Sequence, residues 1–213
     1  MECAQVIVAG AGPVGTVAAT RLARQGIDVI LLEALPTSAK DLRASTWHPP
    51  TLEMMAELGI AERMVEHGLI CPVYQYRDRR SPEVFSFDLT ELSDITKFPY
   101  RLQYEQFKFT QYLCKVLASE QHAMLRFSHE VVGVEQNTEA VTVLAEHQGS
   151  IKRFKADYVI AAEGANLDME GRADHQFVVV VRDVGELHLH FGTLVFQLHR
   201  IDALPAFGIA FQR

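Results

Sequence analysis

Val6-Ile7-Val8-Ala9-Gly10-Ala11-Gly12-Pro13-Val14-Gly15, continued to Glu33 as TVAATRLARQGIDVILLE, decides the fold. Val6–Ala9 is a short apolar run of the kind that forms a buried parallel strand. The next residues make a G-x-G-x-x-G loop. An amphipathic helix follows, with Val14, Val17, Ala18 and Leu22 at helical spacing, and Gly26 ends it. Ile27–Leu32 forms a second apolar run that closes on Glu33. Each part of this βαβ unit has a mechanical reason. Gly10 permits a tight turn, Gly12 lets backbone approach a pyrophosphate, and Gly15 lets helix and strand pack closely. Pro13 suits the first helical position, and the helix N-terminus offers N–H groups and a positive dipole end to phosphates. Glu33 is placed to accept hydrogen bonds from a ribose diol. A glycine turn with a merely solvated Glu33 is the competing reading. The strand, helix, second strand and terminal acid together favour dinucleotide binding.

The remaining composition narrows the class. The 213 residues are 48% hydrophobic and 22% charged, enough for one full core or two small ones. A net charge of -7 without a basic cluster argues against nucleic acid as a partner. No apolar run reaches membrane-spanning length, since Phe177–Val181 is far too short. The N-terminus carries Glu2 and a glycine-broken apolar run, unlike a signal peptide, so a cytoplasmic protein is expected. Cys3, Cys71 and Cys114 fit neither a disulfide framework nor metal spacing. Oligomeric state is not legible.

Beyond Glu33, residues 34–50 form a polar connection ending in Trp47-His48-Pro49-Pro50. A helix is expected from Thr51 to Met64, interrupted at Gly59, with Leu52, Met55 and Ala56 on one face. From Val73 to Asp88 the period becomes two, which predicts a hairpin. Its Tyr74, Tyr76, Phe85 and Phe87 suit a substrate cavity, although alternating aromatics are more often core. Phe98–Leu102 reads as extended, and Glu105–Ser119 as helix. Met124–Phe127, Val131–Glu135, Val141–Ala145 and Ile151–Lys155 suggest an antiparallel meander. Tyr158–Ala162 is again a continuous apolar strand, ending on Glu163-Gly164.

In this order the pattern resembles the FAD-dependent aromatic hydroxylases, flavoprotein monooxygenases of the p-hydroxybenzoate hydroxylase type. Besides the glycine loop with Glu33, three stretches carry the likeness. Leu42-Arg43-Ala44-Ser45, followed by Pro50-Thr51-Leu52-Glu53-Met54 and Leu58-Gly59-Ile60, is similar to the family's phosphate-side arginine and the helix behind it. Tyr100-Arg101-Leu102 through Leu113 is similar to the stretch whose glutamine touches the cofactor. Gln106 matches best there, with Gln103 second. Asp157–Asn166 resembles the family's second fingerprint, with Glu163 where the family has aspartate.

The resemblance implies an α/β fold: a Rossmann-like FAD-binding βαβ with parallel sheet, an antiparallel β-meander and part of a mixed substrate-domain sheet. The implied division is 1–72 and 105–166 for the FAD-binding core, 73–104 for the hairpin region and 167–213 for a divergent tail. FAD is the implied cofactor, NAD(P)H the electron donor and a small aromatic compound the substrate. Gly10, Gly12, Pro13, Val14, Gly15, Glu33, Arg43, Gln106, Val131, Glu163 and Gly164 are the implied cofactor-binding residues. No catalytic side chain is singled out. The family's third fingerprint, Gly-Asp followed by Ala-Ala-His, is not found, so a truncated or divergent form is expected. Two alternatives stand beside an FAD-dependent monooxygenase: a non-catalytic dinucleotide-binding remnant and an NAD-linked dehydrogenase. In the tail, His188 and His190 share a strand face and could bind a metal with His199 or Asp174, but solvated histidines are the expected state.

Overall fold

The computed structural model describes residues 1–40, 42–137 and 139–162, together with the backbone of three later strands at 178–181, 188–191 and 194–197. In chain order the elements begin with β1 (Glu2–Cys3), β2 (Val6–Ala9), α1 (Pro13–Arg24) and β3 (Val29–Leu32). Then come β4 (Thr46–Trp47), α2 (Pro49–Glu57), α3 (Ala61–His67), β5 (Leu69–Cys71), β6 (Val73–Arg77) and β7 (Val84–Asp88). A 3-10 turn at Leu89–Leu92 precedes β8 (Arg101–Gln103), α4 (Gln106–Leu117), β9 (Ala123–Arg126) and β10 (Glu130–Gln136). The run ends with β11 (Val141–His147), β12 (Ser150–Ala156), β13 (Tyr158–Ala161), β14 (Val178–Val181), β15 (His188–Phe191) and β16 (Leu194–Gln197). The chain divides into two units. One holds Met1–Lys40 and most of the chain from Thr110 onward, and the other is built on Asp41–Phe109.

The first unit is organised by a sheet of order β14-β13-β2-β3-β9, parallel except for the antiparallel β14. Because strand side chains alternate, the apolar runs of β2 and β3 serve two faces at once. Val6, Val8, Val29 and Leu31 pack with Ala19 and Leu22 of α1 and Leu117 of α4. Ile7, Ile30 and Leu32 pack with Val141, Val143, Ala145 and Phe154 of a second sheet, order β1-β12-β11-β10. The parallel sheet therefore lies between helices and an antiparallel meander, with β2 and β3 wholly buried.

Two expectations are corrected in this unit. The first of the four β runs, now Ala123–Arg126, pairs in parallel with β3 and leaves the meander with β10, β11 and β12. It follows a helix, and a strand–helix–strand path returns the chain parallel to its neighbours. On α1, Val14 is 41% exposed while Thr16 and Thr20 are buried. Both threonine hydroxyls donate to helix carbonyls, Thr16 to Gly12 O at 2.8 Å and Thr20 to Thr16 O at 2.7 Å, so their burial leaves no donor unpaired.

In the second unit the expected helix over 51–64 is two helices, α2 and α3. Gly59 between them adopts φ +62°, a left-handed conformation that suits glycine. Of the face read from the sequence, Leu52 and Met55 are buried and Ala56 is half-buried. A three-stranded sheet of order β4-β8-β5 and the separate β6–β7 hairpin complete this unit. Among the described residues, no helix is long and apolar enough to cross a membrane.

Candidate functional site

The glycine loop leaves the carboxyl end of β2, between β13 and β3. This is the position where sequence order reverses in the sheet, and such crevices take ligands in open α/β sheets. Gly10 has φ +97°, and its N–H donates to Leu32 O at 2.8 Å, which pins the turn to β3. A Cβ at Gly15 would collide with the Gly10 carbonyl oxygen and sit 3.3 Å from the Ala162 Cβ. Gly15 is thus required by packing within the protein. Gly12 differs: its backbone is extended, and a Cβ there would meet nothing within 4 Å. The space beside Gly12 is open to a ligand.

Gly12 is also the N-cap of α1, with no side-chain capping bond, no acidic residue in the first turn and Pro13 at the start of the helix. The first-turn N–H groups of Val14 and Gly15 have no acceptor within the helix. Together with the dipole they form a positive end next to the open space. Glu33, at the end of β3, joins this arrangement through its side chain. Its Oε2 accepts the Ala11 N–H at 2.7 Å and its Oε1 accepts the Leu35 N–H at 2.9 Å. Each carboxylate oxygen keeps further acceptor capacity. The Glu33 backbone accepts from His129 N at 2.8 Å and donates to Arg126 O at 2.9 Å. One residue therefore ties the glycine loop to β3 and to the β9–β10 connection. Burial, aided by the Glu33 charge, pushes the Cys114 thiol up to about 11 from an ordinary 9.0. No sequence spacing links Cys114 to Glu33.

Val131 lies on β10 opposite Ala145, where the ladder slips before Gly133. Its side chain packs against the core beneath the parallel sheet. Glu163 and Gly164 lie outside the described residues, as do the side chains of Asp174, His175, His188, His190 and His199. Among the described residues, no group of three or more metal-binding side chains is assembled.

Arg43 and Gln106 belong to the second unit. Gln106 N donates to Ala44 O at 2.9 Å and Tyr104 N to Ser45 O at 2.8 Å, so the arginine segment is fastened to the start of α4. Trp47 locks the same junction, donating Nε1–H to Tyr104 O at 2.6 Å and packing on Phe109 at 4.6 Å. A cavity of about 570 Å³ opens here, lined by Arg43, His67, Gln103, Glu105 and Lys108 among others. Gln103, the second-choice glutamine, lines the cavity with its amide oxygen already accepting from the Thr46 hydroxyl at 2.6 Å. Lys108 pairs with Glu105 at 2.8 Å and holds that carboxyl below its usual range.

The hairpin aromatics depart from the expectation of core. Tyr76, Phe85 and Phe87 are 66%, 61% and 46% exposed. They share one hairpin face with Tyr74, because Tyr74 pairs with Phe87 and Tyr76 with Phe85. Alternation gave them a common face, but the described residues provide no layer to cover it.

The family model described as an FAD binding domain matches residues 3–197. Para-nitrophenol 4-monooxygenase of Pseudomonas sp. (strain WBC-3) is 30% identical over 160 residues, 75% of this chain and 40% of the relative. 6-hydroxy-3-succinoylpyridine 3-monooxygenase of Pseudomonas putida (strain DSM 28022 / S16) is 31% identical over 162 residues, 76% of this chain and 41% of the relative. Among solved structures, p-nitrophenol 4-monooxygenase from Pseudomonas putida DLL-E4 superposes with a TM-score of 0.76 at 26% identity, covering 82% of this chain and 44% of that one. The chain thus spans about two fifths of the length of the curated relatives it matches.

Proposed function

Because this chain belongs to the FAD-binding domain family, in the form that FAD-dependent aromatic hydroxylases carry, we propose that its first unit holds the ADP half of FAD. In the whole protein it would serve NAD(P)H-dependent hydroxylation of a small aromatic compound, in a cytoplasmic setting. The observation that carries this reading is the contrast within the glycine loop. Gly15 is closed by the protein's own backbone, whereas Gly12 faces open space at an uncapped helix end. That open cradle at a helix N-terminus fits a pyrophosphate.

The roles follow from chemistry at named atoms. The N–H groups of Val14 and Gly15 would donate to phosphate oxygens, with Pro13 setting the backbone of the first turn by its fixed φ. Glu33 would accept from the ribose hydroxyls while holding Ala11 in place. Val131, whose side chain is committed to the core, would act through its backbone at the slipped ladder. Arg43 and Gln106 on the second unit, with Glu163 and Gly164, are proposed as further cofactor-binding residues. Electron uptake and oxygen transfer are chemistry that FAD supplies when bound; the protein binds, orients and excludes water.

FAD titration followed by flavin absorbance and fluorescence tests the reading. The chain should take up FAD, and Gly12→Val should lower affinity at least about a hundredfold while the far-UV circular dichroism stays unchanged. A colourless chain that takes up no FAD overturns the proposal, as does undiminished affinity in the variant. FAD uptake without substrate-stimulated NAD(P)H oxidation would limit this chain to cofactor binding. Uptake of NAD in place of FAD would favour the dehydrogenase alternative.

A further inference from the structure

Between β9 and β10 the chain turns at Phe127-Ser128-His129, and two imidazoles hold that turn. Ser128 takes φ +56°, a left-handed conformation uncommon for a residue with a Cβ. His129 Nδ1 donates to Phe127 O at 2.8 Å, and His147 Nδ1, from the end of β11, donates to Ser128 O at 2.8 Å. A carbonyl oxygen only accepts, so both rings carry a proton on Nδ1 and, when neutral, leave Nε2 bare. The rings stack at 4.2 Å and 12°, and Phe154 of β12 meets His129 edge-on at 5.6 Å. His129 is 8% exposed and His147 is half-buried.

The amides of the same turn grip the exit of β3. Ser128 N donates to Leu35 O at 3.0 Å and His129 N to Glu33 O at 2.8 Å, while Glu33 N donates to Arg126 O at 2.9 Å. The Glu33 carboxylate in turn holds the Ala11 N–H of the glycine loop. Hydrogen bonds therefore run without a break from the stacked rings through the turn to Glu33 and the loop. The charged groups of the surrounding elements begin with the Glu33 carboxylate and with Arg126 of β9, paired to Glu2 of β1 at 2.9 Å. Lys152 of β12 shares the rings' sheet face through its ladder partner Ala145, two residues before His147. Glu130 and Glu146 oppose each other on the other face. One proton leaves a single cation on the pair. A second sets two like charges one ring apart, one of them buried.

We infer that the His129–His147 pair is a proton-sensitive clasp that positions Glu33, holding the turn while at most one ring is charged and releasing it when both are. This rests on the reading of Glu33 as the ribose acceptor and adds control by pH to that site. Both histidines are positioning residues, since they act through the turn and Glu33. Repulsion between stacked cations drives the rings apart, and the turn then loses the Nδ1–H bonds that keep Ser128 in its left-handed conformation. With the turn relaxed, Glu33 loses its backbone bonds to His129 and Arg126, and its carboxylate no longer meets Ala11 and the ribose together. Imidazole changes charge between about pH 5 and pH 8, so release belongs to the acid end of that range.

The test titrates the full chain with FAD from about pH 8 down to about pH 5 and, without FAD, follows the imidazole C–H and Ala11 amide resonances by NMR over the same range. FAD affinity should fall about tenfold toward the acid end, as loss of a hydrogen bond to the ribose implies. The Ala11 amide shift should move at the histidine midpoint. His147→Phe keeps a stacked ring but removes the donor and the charge, so it should lower affinity at neutral pH and make it insensitive to pH. His147→Asn restores a donor that takes up no proton. It should recover part of the affinity and stay insensitive, which a merely structural role would not do. Affinity independent of pH in the unmodified chain overturns the inference and spares the cofactor reading. An acid fall that survives in His147→Asn, or an Ala11 shift unmoved by histidine titration, also overturns it. If His147→Phe unfolds by circular dichroism, His147→Asn decides alone: a flat profile supports the inference, and a retained acid fall overturns it. An Ala11 shift that follows the histidines in a chain taking up no FAD supports the clasp and overturns the cofactor reading.

Discussion

The two units use apolar strands in opposite ways. In the first, β3 reads Val-Ile-Leu-Leu and every residue is buried; in the second, β7 reads Val-Phe-Ser-Phe-Asp and every residue is exposed. β3 is wholly apolar and β7 mixes Val84, Phe85 and Phe87 with Ser86 and Asp88, yet even the aromatic side chains of β7 stay exposed, so composition alone does not account for the difference. The strand β3 sits between two hydrogen-bonded neighbours with a layer on each face, whereas β7 pairs only with β6. A two-stranded hairpin has too few partners to bury its own aromatic face. Apolar side chains of β3 therefore work as core, whereas those of the β6–β7 hairpin stay largely exposed, although the second unit buries Leu52, Met55, Met64 and Leu102 elsewhere.

The comparison can be broken most directly at Gly15. Gly15→Val should cost more than about 4 kcal/mol in a urea titration, since a side chain there collides first with the Gly10 carbonyl, which is backbone and cannot give way cheaply, and FAD affinity should fall with it. Unchanged stability would mean that the loop and sheet do not meet as closely as the structure has them. A matched pair sharpens the point. Ile30→Ala, from a side chain 1% exposed, should cost about 2–5 kcal/mol, and Phe85→Ser, from one 61% exposed, within about 0.5 kcal/mol. Similar losses at both sites would show that the hairpin face is covered after all.

The smallest effect concerns the Cys114 thiol, which is held protonated in the folded chain up to about pH 11. Its folded value lies above the unfolded one, so the folded state retains the proton longer. The resulting stability is complete below about pH 9 and lost as pH rises toward 11. Cys114→Ala should flatten the fall in stability over that window. Glu33→Gln should make the thiol react at lower pH, because it removes a neighbouring negative charge. An unchanged thiol titration in Glu33→Gln would separate Cys114 from Glu33.

What was legible in the sequence was local. The run of apolar residues in β2 and β3 declared two-sided burial, and the two glycines at the turn and packing point, Gly10 and Gly15, declared backbone needs that other residues cannot meet. The hairpin at 73–88 was legible from its period and turn. Its exposure was not, because alternation specifies which residues share a face and is silent on what covers that face. The strand at Ala123–Arg126 shows the same boundary. Its β character was local, but its pairing with β3 depended on the crossover through α4.

By itself, then, the sequence determined a dinucleotide-type βαβ unit, its glycine loop and its acid at the end of the second strand. These features rest on backbone sterics and side-chain period over a few neighbouring residues. Only the tertiary structure decided that Gly12 opens on free space while Gly15 does not, that Glu33 grips the Ala11 N–H, and that Arg101 lies over the Tyr74 ring. Each of these depends on contacts between residues distant in the chain. Whether a polar or aromatic group is satisfied is a property of its neighbours in space, which no local pattern encodes.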